Sequence, residues 1–185
     1  MSELAPGDNF IFMKVGVHAG ETLEDILARK RKEIDDEGIS MWGYGGNSCH
    51  PRRVQEFAQD ANAPIRLIMQ EIKSNHFADP RRAGEFSADG GATWQAVPRG
   101  INVLGSKFAL CLSTLDDVDF ALDLAETVVP IGLQQGKPGN QYLRGHVDKA
   151  CLTLLDGQAE PSENSAVRIS LSADLIQPYA VLLRD

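Results

Sequence analysis

The chain has 185 residues, 43% of them apolar and 24% charged, the composition of an ordinary globular domain able to bury roughly 70% of its unfolded surface in one core. Its 18 Lys and Arg against 26 Asp and Glu leave a formal charge of −8, the wrong sign for general attraction to phosphate backbones. One domain with no nucleic-acid partner is expected. Three widely spaced cysteines, Cys49, Cys111 and Cys151, suit a reducing compartment better than a disulfide framework. The first nine residues, read as a flexible terminus, have neither the basic nor the apolar region of a signal peptide. Apolar runs stop far short of the roughly 20 residues of a membrane span. The expectation is a cytoplasmic protein with no membrane partner.

Residues 10–18 alternate as a strand, with Ile11, Met13, Val15 and Val17 on one face and His18 at its end. Thr22 followed by Asp25 marks the start of a helix that runs to about Glu37 and stops at Gly38, with Leu23, Ile26, Leu27 and Ile34 as its buried stripe. Its basic run Arg29–Lys32 has Asp25, Asp35 and Asp36 at spacings of four and reads as a solvated, salt-bridged face. A short strand at 39–42 feeds the loop Gly43-Tyr44-Gly45-Gly46-Asn47-Ser48-Cys49-His50, and Pro51 opens a second helix to about Ala61. A strand at 65–73 follows, then a polar turn around His76.

Ser87-Ala88-Asp89-Gly90-Gly91-Ala92-Thr93-Trp94 resembles the Asp-box hairpin of sialidases and related propellers. The resemblance implies a turn capped by the Asp, with the Trp packed beneath it. A propeller needs several copies at a regular period, and one is present; no sialidase activity follows.

A strand at 107–114 comes next. Residues 117–129 fit both a strand and a helix period, and a hairpin strand is preferred. A second Gly-rich loop, Pro130 to Gly139, leads to an expected helix from about Asn140 to Leu155 with the stripe Leu143, Val147, Ala150, Cys151 and Leu154. Strands at 167–171 and 179–183 close the chain. These elements make an α+β single domain with a mixed or mainly antiparallel sheet of about seven to nine strands and three main helices.

Both Gly-rich loops end at expected helix starts, where unpaired N–H groups and the helix dipole favour an anion. Neither is a dinucleotide or P-loop fingerprint. The leading reading is a binder of a small anionic, nucleotide-like molecule held by Trp42, Tyr44, Gly45, Gly46, Asn47, Ser48, His50 and Arg52 together with Lys137 and Arg144, with the aromatic rings available for stacking and enzymatic turnover left open. A second reading makes Cys49, at a helix start, the nucleophile of a thiol-dependent enzyme with His18 or His76 as base. A third is a non-catalytic subunit that forms a homo-oligomer through a sheet edge. The remaining His and Cys residues show no paired metal-ligand spacing, and neither a metal nor another cofactor is expected.

Overall fold

The computed structural model describes residues 4–61, 64–76, 78–144, 147–156 and 165–185. Ten strands form one open, mostly antiparallel sheet. In chain order they are β1 (Asn9–His18), β2 (Ser40–Tyr44), β3 (Arg66–His76), β4 (Glu85–Ser87), β5 (Gln95–Ala96), β6 (Phe108–Leu112), β7 (Asp116–Asp123), β8 (Thr127–Val128), β9 (Lys149–Leu154) and β10 (Ala166–Arg184). The helices are α1 (Leu23–Glu37), α2 (Pro51–Gln59) and the single turn α3 (Gly139–Tyr142). The main path across the sheet is β2-β6-β10-β3-β1-β9-β8, and β1 and β3 pair in parallel. No helix among the described residues is long and apolar enough to cross a membrane.

The 19 residues of β10 organise the sheet. Its first half is flanked by β7 and β3, its second half by β6 and β4. Between the halves the register with β6 shifts from Leu175 to Ala180, beside a cis Gln177–Pro178 bond and Tyr179 at φ 67°. The sequence suggests two strands, at 167–171 and 179–183; they are one continuous strand with an irregular register between Leu175 and Ala180.

Three apolar clusters result. The largest lies between the inner faces of the sheet and α1 and α2, and contains Ile11, Met13, Trp42, Leu67, Met69, Leu110 and Leu112. A second, around Phe10, Phe12, Ile68, Ala150, Leu152 and Ile169, occupies the opposite face of β1, β3 and β9. The third packs Met41, Ala109, Cys111 and Val181 beneath Ile101 and Val103. Strands β1 and β9 are thus buried on both faces, as central strands of a covered sheet are.

The burial of β9 corrects the expected helix at 140–155. Leu143, Val147, Ala150, Cys151 and Leu154 do recur at helical spacing, but helix ends after one turn at Tyr142 and Lys149–Leu154 is a strand paired with β1 and β8. Ala150 and Leu152 enter one core and Cys151 the other. A strand with two apolar faces carries no period-two polarity, so its composition is equally compatible with a buried helix.

The local signals elsewhere act as their chemistry requires. The Thr22 hydroxyl accepts the Asp25 N–H at 3.2 Å, and Gly38 ends α1 in the left-handed conformation at φ 78°. Residues 116–123 form the β7 strand. At the β4–β5 hairpin, the Asp89 carboxylate accepts from the Thr93 N–H at 2.8 Å and from the Thr93 hydroxyl at 2.5 Å, while the Trp94 indole N–H donates to Gly91 O at 3.2 Å. The Arg184 guanidinium lies 4.1 Å from the Trp94 ring centre, a cation–π contact between the hairpin and the end of β10.

Those hydrogen bonds from Thr93, first of all from its hydroxyl, hold the Asp89 carboxyl down at about 2. Because the folded value is depressed, the stabilisation is present above the ordinary carboxyl range and disappears as pH falls through about 2. Urea unfolding of wild type and Asp89→Asn across pH 2–5 should show wild type more stable at pH 5, with the gap closing toward pH 2.

Candidate functional site

The two Gly-rich loops meet. Gly46, Asn47 and Ser48 form one wall of a cleft whose other wall is Val129, Ile131, Leu133 and Gln134, with Tyr142 from α3 and Lys149 and Cys151 from β9 completing it. Arg53, in the first turn of α2, lines the same cleft. A side chain at Gly132, itself at φ 87°, would meet the Arg53 guanidinium at 3.1–3.3 Å, so the absence of a Cβ is what lets the second loop approach the cation.

The first loop is fixed from below. The buried Tyr44 hydroxyl donates to Cys49 O at 2.6 Å, and the His50 imidazole caps α2, its Nδ1 accepting the Arg52 N–H at 3.3 Å. The His50 ring meets Phe108 edge-on at 5.2 Å. Burial pushes the Tyr44 phenol far above its ordinary range, so it stays protonated and remains a donor. Between these anchors the amides of Gly46, Asn47 and Ser48 make no hydrogen bond to another described residue.

The second loop is tied to itself on its far side. Gln135 N–H donates to Gly132 O, Gly136 N–H to Val129 O and Lys137 N–H to Gln134 O, while Val129 N–H donates to Lys137 O. It brings the apolar side chains of Val129, Ile131 and Leu133 to the cleft.

The site residues named from the sequence divide between two neighbouring cavities and the outer surface. Gly46, Asn47 and Ser48 border the cleft just described; Trp42, Tyr44 and Gly45 line a second cavity, shared with His18, on the other side of Lys149 and Asp148. Arg52 is 84% exposed and pairs with Glu56 at 3.5 Å. Lys137 and Arg144 are exposed and line neither cavity. The cations brought to the cleft are Arg53 and Lys149.

Lys149 pairs with Asp148 at 2.5 Å, whereas the Arg53 guanidinium has no hydrogen-bond or ion-pair partner among the described residues. Arg53 follows Arg52 in the first turn of α2 and is not among the ligand residues expected from the sequence. Lys149 and Tyr142, which share one flank of the helix expected from the sequence, do line the cleft, although Lys149 comes to it from a strand.

Cys49 is 0% exposed and lines neither cavity. The Cys151 thiol is held well above the ordinary thiol range by the Cys49 thiol beside it and by burial. His18 sits at the end of β1, its Nε2 3.0 Å from Leu104 O. The backbone of His76 pairs with His18 at the end of β3, and the His76 side chain and all of His146 lie outside the described atoms. Among the described residues no contact joins the Cys49 thiol to the His18 ring.

No family model, curated protein or solved structure matches the chain.

Burial pushes the Cys111 thiol up to about 12, and all three cysteines are buried, out of reach of a reagent in solution. Peptide mapping after brief iodoacetamide treatment at pH 7 should find Cys49, Cys111 and Cys151 all slow relative to the unfolded chain; rapid alkylation of Cys49 alone would revive the nucleophile reading.

Proposed function

We propose that this chain binds a small anionic molecule with an apolar or planar portion in the cleft between residues 46–48 and residues 129–134. The observation that carries this reading is Arg53: a guanidinium lining a cleft between two Gly-containing loops without a described counter-charge. Desolvating an unpaired cation is costly, and an incoming carboxylate or phosphate offsets that cost with paired, charge-assisted hydrogen bonds.

The rest of the lining is of two kinds. Lys149 adds a second positive group, and the Gly46–Ser48 amides supply neutral donors. Val129, Ile131, Val147 and the Tyr142 ring offer apolar surface to the remainder of the ligand. Leu133, at 95% exposure, stands at the rim, where a ligand would cover it. This chemistry fits a nucleotide-like molecule or a carboxylate with a hydrophobic body better than a bare inorganic ion. Buried Cys49 has no part in it.

A thermal-shift series with phosphate, pyrophosphate, AMP and octanoate tests the reading. At about a hundredfold excess over Kd, a ligand adds about 2.7 kcal/mol, or several degrees for a chain of this size. AMP or octanoate should raise Tm in wild type and fail to do so in Arg53→Gln, whose unliganded Tm should stay within about a degree because Arg53 makes no structural ion pair. A flat response to all four, or the same shift in Arg53→Gln, would overturn the proposal.

A further inference from the structure

The second cavity, of about 180 Å³, lies where β1 and β2 face each other beneath α1. Lys30 on α1 opens onto it while only 2% exposed. Residues 23, 26, 30 and 33 form the inward face of α1, so the helix buries a Lys and a Glu in line with its apolar stripe. The Lys30 ammonium donates to Asn102 O at 2.5 Å and to Glu33 Oε2 at 3.1 Å. Glu33 in turn accepts from the Ser40 hydroxyl at 2.6 Å and the Asn102 N–H at 2.8 Å.

These contacts use two of the three donors of an ammonium. The walls near Lys30 combine Trp42, Val15 and Ile26 with His18. Other charges facing the cavity are committed to one another: Arg29 forms two 2.7 Å hydrogen bonds with Glu21, and Lys149 pairs with Asp148. Lys14 of β1 also lines it.

We infer that Lys30 is a nucleophilic amine that captures small aldehydes or ketones in this cavity as imines. The nitrogen lone pair attacks the carbonyl carbon while the C=O π electrons move to oxygen, forming a carbinolamine once one amine proton is transferred. The C–N double bond then forms as the C–O bond breaks, and oxygen leaves as water with the second amine proton. An amine and a carbonyl thus become an imine and water, with no change of oxidation state.

Such chemistry needs a neutral amine held out of water. Burial lowers the Lys30 pKa to about 8 against the opposing pull of Glu33, so about half the amine is unprotonated at pH 8. The exposed Lys32, whose hydrogen bond to Asp36 holds its pKa above the usual range, keeps well under about 1% free amine there. Two residues apart on one helix, the two lysines form an internal control.

The test uses the full native chain with glyoxylate and sodium cyanoborohydride at pH 8, the reductant trapping any imine as a stable secondary amine. Initial modification rates at Lys30 and Lys32 are read by fragment mass spectrometry. At least a tenfold preference for Lys30 is expected, and it should vanish in 8 M urea, where both lysines are solvated. Lys30 modified no faster than Lys32 in the native chain, or a preference that survives urea, would overturn the inference. Arg53→Gln should leave the preference unchanged, separating this cavity from the anion cleft.

Discussion

One strand sets the geometry on which everything else depends. Because β10 is hydrogen-bonded to β7 and β3 along its first half and to β6 and β4 along its second, it joins the two halves of the sheet across a register irregularity between Leu175 and Ala180. Residues of β1, β2 and α1 border a gap between them. The cavity at Lys30 is what remains of the gap. The cleft at Arg53 opens beside it, where the chain leaves β2 and where β9 begins.

Close packing around that gap depends on small residues. At Gly43 an added Cβ would lie 2.8 Å from the Ser106 Cβ and 2.9 Å from Val103 Cγ1, so the segment from 101 to 106 can approach β2 only because residue 43 has no side chain. The same segment supplies both backbone groups of Asn102 that bind the Lys30–Glu33 pair. Removing one member of a buried pair leaves the other uncompensated, a cost commonly of about 3–5 kcal/mol. The pair therefore ties helix, strand and loop together while keeping an amine at the cavity wall.

What could be read from the residues was mainly local. Thr22, Gly38, Pro51 and the Asp89 turn act through partners within a few positions, so their chemistry determines their structure wherever the chain goes. The α+β class followed from such signals. Residues buried on two sides resisted the same reasoning in β9, which presents apolar groups to separate cores and lacks the alternation that identifies a half-exposed strand. The basic run on α1 is the sharper case. It reads as a solvated face, yet of the three expected pairs at spacings of four only Lys32–Asp36 forms. Arg29 turns to Glu21, Arg31 reaches Asp117, and Lys30 goes inward. The spacing of Lys30 from Leu23 and Ile26 contained that information, but charge outweighed position in the reading. Lys149 was read among the residues near the second loop, but Lys137 and Arg144 line neither cavity, since which cations meet the loops depends on long-range pairing of β9 with β1.

Lys149 and Asp148 form a partition with a cavity on each side. A guest that draws the ammonium away from its carboxylate toward one compartment alters the field felt in the other. Were guests to bind on both sides, their affinities would be coupled through this pair, equally in both directions.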